Sequence, residues 1–124
     1  MNDLIPPTVR EFIVRHIDSV SQLEALLIVH AHPEERWEVG RIASRVYTSD
    51  RELGAVLERF VAEGFLKREG DFYQYDAKDP AIDHTIDELA LIYASHLIPV
   101  TNMIHSKPRN MRSFSDAFKL RKDP

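Results

Sequence analysis

Six histidines offer the first chance of chemistry: His16, His30, His32, His84, His96 and His105. His30 and His32 have a spacing found in some metal sites. They stand at a helix end before Pro33, where an imidazole also suits the helix dipole. With no cysteine in the chain and no second matched pair, that spacing does not make a metal site. His84 and Glu88 lie four apart on one helix face, with Asp83 and Asp87 beside them. An acidic, solvated helix start explains this group without a cation. There is no Gly-x-Ser-x-Gly elbow and no nucleotide-binding glycine loop. The only glycines are Gly40, Gly54, Gly64 and Gly70, too few to cradle a phosphate. The expectation is a protein that is not an enzyme and carries no cofactor or metal.

What these residues stand on is mostly helical. Thr8 and Glu11 have capping-box spacing, and Val9, Phe12, Ile13 and Ile17 recur at helical intervals behind them. Ser21 and Glu24 offer a second box for a helix running to about Ala31, faced by Leu23, Leu26, Leu27 and His30. Arg36 and Trp37 read as a short extended segment. A short helix from Glu38 to Val46 follows, with Val39, Ile42, Ala43 and Val46 inward. Tyr47 and Thr48 turn the chain. Ser49 and Glu52 then open a helix from Asp50 to about Glu63, its buried face Leu53, Val56, Leu57, Phe60 and Val61. Gly64 stands where a helix takes its left-handed terminating residue. Residues 65–68 and 72–75 flank Glu69, Gly70 and Asp71, a β-hairpin with a three-residue loop. After a linker to Pro80, Ile82, Ile86, Leu89, Tyr93, Leu97, Val100 and Ile104 recur along a long helix, which Pro99 kinks or divides.

The order helix, short strand, helix, tight turn, helix, hairpin resembles the winged-helix family of small bacterial transcriptional regulators. Its carriers are LEALLIV at 23–29, IASRV at 42–46, the run from Leu53 to Leu66, and FYQY at 72–75. A second likeness lies in the tail: IHSKP at 104–108 and FSDAFKLRK at 114–122 look like the C-terminus of uncharacterised bacterial winged-helix proteins described as predicted regulators. The implied fold is mostly α with a small β-hairpin sheet, a winged helix-turn-helix with an N-terminal helix and a C-terminal helical extension. Its parts are an N-terminal helix at 1–18, the winged-helix domain at 19–76, a dimerisation helix at 81–106 and a basic tail at 107–124.

The resemblance implies duplex DNA as a partner. A winged helix lays its second motif helix in the major groove and sets its wing on phosphates. Arg51 is then the groove residue. Arg41, Arg45, Arg59, Lys67, Arg68 and the tail are the candidate phosphate contacts. Charge opposes this reading. Residues 1–106 hold 10 basic and 18 acidic residues, net −8, and Glu35, Glu38, Glu58, Glu63, Glu69 and Asp71 share the same surfaces. Residues 107–124 carry Lys107, Arg109, Arg112, Lys119, Arg121 and Lys122 against Asp116 and Asp123, net +4. Such a tail seeks an anionic partner: nucleic acid, a membrane surface or the acidic body of its own chain. Phe114 and Phe118 suit docking of the tail, or weak contact with a membrane surface.

A second stripe on the long helix, Leu91, Ala94, Ser95 and Ile98, has no partner within a small domain and predicts a homodimer. His96 lies near it, where a buried pair would make association sensitive to pH at about 6–7. Two functions follow. The first is a DNA-binding, regulator-like homodimer. The alternative is a winged-helix protein-interaction module that binds no DNA and engages a protein partner through its long helix and tail. With no basic-then-apolar leader and no run of about 18–20 apolar residues, a soluble cytoplasmic protein without a membrane span is expected.

Overall fold

A computed structural model describes residues 4–107. Among them are six helices and one small antiparallel sheet. In chain order they are α1 (Pro7–His16), α2 (Val20–Ala31), β1 (Trp37–Glu38), α3 (Val39–Val46), α4 (Asp50–Ala62), β2 (Leu66–Glu69), β3 (Phe72–Tyr75), α5 (Pro80–Ser95) and α6 (Leu97–Ser106). The expected helical faces point inward. Val9, Phe12, Ile13 and Ile17 are buried at the start of the chain, as are Leu53, Leu57 and Phe60 on α4. They join one core that also holds Trp37, Phe65, Tyr73, Ile86, Leu89, Val100 and Ile104.

Two helix starts differ in detail from the sequence expectation and a third follows it. α1 begins at Pro7 behind Pro6, without a side-chain cap. Proline at the first helical position needs no N–H partner and has its φ preset. Thr8 therefore lies inside the helix, and its hydroxyl donates to Glu88 on α5 at 3.3 Å. α2 is capped by Ser19, which accepts from the Gln22 N–H at 3.2 Å. Ser21 instead donates to the Val46 carbonyl at 3.2 Å, tying α2 to the end of α3. Ser49 does cap α4, accepting from the Glu52 N–H at 3.1 Å, while the Glu52 carboxylate takes the Thr48 hydroxyl at 2.9 Å.

The sheet has the order β1-β3-β2, with Trp37 opposite Tyr73 and Glu69 opposite Phe72. Because Glu69 is paired, the hairpin loop is the two residues Gly70 and Asp71, one fewer than the sequence suggests. Gly70, at φ 60, takes the position where a type II′ turn needs glycine. Gly64, at φ 88, ends α4 as expected. The N–H of Phe65 reaches Phe60 O at 2.9 Å and that of Gly64 reaches Val61 O at 3.1 Å, the paired bonds of a Schellman ending.

The long helix divides at His96, not at Pro99. A proline ring clashes with the carbonyl four residues before it. For Pro99 that residue is Ser95, where α5 stops. Pro99 then sits in the first turn of α6, where no N–H is required. The break resets the helical register, so Leu97, expected inward, is exposed. No helix among the described residues is long and apolar enough to cross a membrane.

Candidate functional site

The six candidate DNA-facing cations do not form one free surface. Arg51, in the first turn of α4, is exposed and has no hydrogen bond or ion pair among the described residues. Lys67, half-buried on β2 opposite Gln74, also lacks an ion partner there. Arg45 is exposed on α3, with its guanidinium 5.2 Å from the Trp37 ring centroid. Arg41 lies closer over the same ring, at 4.1 Å, and pairs with Glu35 at 3.5 Å. Arg68 pairs with Glu58 on α4 and donates to Gly70 O at 2.8 Å.

Arg59 faces inward. It donates to His16 O at 2.9 Å, to Gln22 Oε1 at 2.8 Å and to Glu63 Oε1 at 3.3 Å. It thus ties the end of α1 and the start of α2 to α4, a structural role in place of the expected phosphate contact. Residues 34–71 hold seven basic and nine acidic residues, net −2. Glu58 sits midway along the exposed face of α4. The Tyr73 hydroxyl that donates to it, with Arg68 adding to the effect, holds its carboxyl below the usual range.

Trp37 anchors this region from beneath. It is buried, and its indole N–H has no hydrogen-bond partner among the described residues. Tyr47, between α3 and α4, was legible in sequence only as a turn. It adopts φ 58 and ψ 48 and is 93% exposed. Left-handed backbone costs an L-residue roughly 1–2 kcal/mol, and an exposed ring returns nothing through packing. That conformation ends α3: the N–H groups of Tyr47 and Thr48 both reach Ala43 O, the second at 3.2 Å.

The α5–α6 junction is different in kind. Leu91 is 71% exposed, Ile98 62% and Leu97 49%, with Ala94 and Ser95 also exposed among them. All four stripe residues therefore stay outside the core, and Leu97 adds a fifth. Several histidines and acids bond to one another or to hydroxyls across the fold. His30 Nε2 lies 2.6 Å from Asp87, the Tyr75 hydroxyl donates to Asp83 at 2.6 Å, and Tyr93 donates to Glu24 at 2.8 Å. The acids at the start of α5 are thus held by α2 and β3 and are not simply solvated. His96, half-buried, has Nδ1 2.9 Å from the Ser95 hydroxyl.

Lys107 departs from its expected role in a partner-seeking tail. Its Nζ donates to Ile13 O at 3.0 Å and to Ile17 O, and lies 3.5 Å from Asp18. Its side chain is 6% exposed. A cation there meets the negative end of α1: Ile13 O, which also accepts the Ile17 N–H at 3.0 Å, and Ile17 O just past the helix. The remaining tail candidates, Arg109, Arg112, Lys119, Arg121 and Lys122 with Phe114 and Phe118, lie outside the described residues. Two clefts open on α2. One of about 330 Å³ has Leu27, Ile28 and Ala31 rimmed by Glu24, His32, Arg45 and Tyr93. The other, of about 480 Å³, runs between the start of α2 and the first half of α4. Comparison with protein-family models, curated proteins and solved structures gives no match.

Proposed function

We propose that the chain is a winged-helix protein-interaction module that works as a homodimer and engages a protein partner. The observation that carries this reading is the exposed apolar patch of Leu91, Leu97 and Ile98 at the α5–α6 junction. Ala94 and Ser95 are small enough to let two helices approach closely, the large apolar side chains beside them supply buried area, and a two-fold axis pairs the patch with itself. The winged-helix assignment rests on the element order and on β1 joining the hairpin through β3. Internal pairing of Arg41, Arg59 and Arg68 favours protein contact over duplex DNA, because neutralising phosphates is what supplies non-specific affinity. Static light scattering at tens of micromolar is expected to give twice the chain mass, and Leu91→Asp with Ile98→Asp to give the monomer mass. A monomeric wild-type chain would overturn the homodimer.

A second reading, a DNA-binding regulator-like homodimer, is favoured by the unpaired Arg51 at the start of α4 with Tyr47 held out beside it. Fluorescence anisotropy with random duplex DNA at low salt separates the two readings. Binding at about 10⁻⁵ M protein, the usual non-specific range, supports the DNA reading. Arg51→Ala would then weaken sequence preference and Lys67→Ala would lower affinity evenly. Absence of binding leaves the interaction module.

A further inference from the structure

The geometry points to the cleft between α2 and α4 as the seat of the chain's own basic segment, residues 108–124. This goes beyond the proposed function and does not depend on it.

The first ground is where the described chain ends. Lys107 is held at the end of α1 by Ile13 O, Ile17 O and Asp18. Asp18 is followed by Ser19, the cap of α2, and Ser19 lines the cleft. The last described residue is thus tied, through its side chain, to the residue that precedes the cleft lining. Six residues lie between Lys107 and Phe114, and the seven steps reach up to roughly 23–25 Å when extended.

Chemistry is the second ground. The cleft, of about 480 Å³, has Ala55 and Val56 as apolar surface and Ser19, Gln22, Thr48 and Glu52 as polar surface. Glu52 takes the Thr48 hydroxyl but has no cation partner among the described residues. Residues 108–124 hold five basic residues against two acidic, net +3, and the body at 1–107 is net −7. In chemistry the segment matches the cleft: it offers the rings of Phe114 and Phe118 for the apolar Ala55 and Val56, and cations for Glu52.

Tethering is the third. A segment joined to the body by a short linker meets its seat at an effective concentration in the millimolar range, so individually weak contacts suffice. Once seated, it lies along the first half of α4 and competes with any partner that approaches that helix.

The chain has no cysteine, so Ser115→Cys carries a single nitroxide in the full-length protein. The amide signals of Ser19, Thr48, Ala55 and Val56 are expected to lose more than half their intensity, while those of Ala81 and Leu91 keep theirs. A mixture of isotope-labelled chain without nitroxide and nitroxide-bearing chain without isotope is expected to show no such loss. Phe114→Ala with Phe118→Ala in the nitroxide-bearing chain is expected to restore the cleft signals. Intact cleft signals, losses centred on α5, equal losses in the mixture, or losses that survive removal of both rings would each overturn the assignment. The light-scattering mass reports on the homodimer separately, so the two ideas fail independently.

Discussion

α4 and α5, the longest helices of the described chain at 13 and 16 residues, treat their outward faces in opposite ways. The outward Glu58 of α4 is engaged within the molecule by Arg68 and Tyr73, and Arg59, which the sequence also places outward, turns in to α1 and α2. α5 buries Ile86 and Leu89 and leaves Leu91 71% exposed. An outward charge is therefore weak evidence of a contact surface, because a neighbouring element can take it up. An outward leucine has no such outlet. Water is its only neighbour until another surface covers it.

The sharpest way to break the comparison is to truncate one apolar residue on each helix. Phe60 is fully buried, with its ring centroid 5.7 Å from that of Phe65. Phe60→Ala should destabilise the protein by about 3–5 kcal/mol, read from urea unfolding. Leu91→Ala should stay within about 0.5 kcal/mol at protein concentrations too low for association. If Leu91→Ala costs as much as Phe60→Ala, Leu91 is covered inside the monomer and the contrast fails.

Next in size is Lys107→Met, which keeps the stem and deletes the ammonium. Its bonds to Ile13 O and Ile17 O and its pairing with Asp18 occur at a side chain only 6% exposed. Charged hydrogen bonds in such a place contribute about 1.5–3 kcal/mol, so a loss of that order is expected in the same unfolding experiment. A loss near zero would place Lys107 with the exposed charges.

Much of this architecture was legible because it depends on local rules. Apolar spacing identifies the inner faces of α1 and α4, Ser49 marks a helix start and Gly64 marks a helix end. The misreadings share a different cause. Ser19 and Ser21 are equivalent as local caps, and the difference between them lies in Val46, 25 residues away, which accepts the Ser21 hydroxyl. Arg59 and Lys107 read as solvent cations because their acceptors stand 43 and 94 residues away, at His16 and Ile13. Helical periodicity gives the direction of a side chain but not what waits there. The Pro99 clash acts four residues upstream, so the break appears at His96 rather than at the proline.

Tyr47 sharpens the comparison from the side of function. Tyr47→Gly relieves the left-handed strain and removes an exposed ring, at the cost of a more flexible unfolded chain. A net gain of about 0.5–1 kcal/mol in unfolding free energy is expected. If the ring is a contact residue, the same change weakens binding of whichever partner the α3–α4 surface takes. A loss of stability instead would mean that the ring packs in the folded state.

The smallest effect belongs to Glu58, where two neighbouring groups move in opposite directions. The Tyr73 hydroxyl bond is the main influence lowering the Glu58 carboxyl below its ordinary value. Burial first, and then that same bond, pushes Tyr73 up to about 12. A lowered carboxyl stabilises the fold above its unfolded value and loses that contribution as pH falls through the folded one. A raised phenol contributes fully below its ordinary value of 10.0 and loses that contribution as pH rises toward 12. The Glu58 side chain is 48% exposed, so solvent screening keeps the ion pair small. Glu58→Gln should therefore cost about 0.2–1 kcal/mol at neutral pH. That difference from wild type should begin to shrink as pH falls below the ordinary carboxylate value of 4.5 and vanish below the lowered folded value. It should also move the Tyr73 phenol back toward 10.0, which a phenolate absorbance titration reads directly. A Tyr73 titration unchanged by Glu58→Gln would mean that burial alone raises the phenol, and the outward face of α4 would then be less internally bound than its geometry implies.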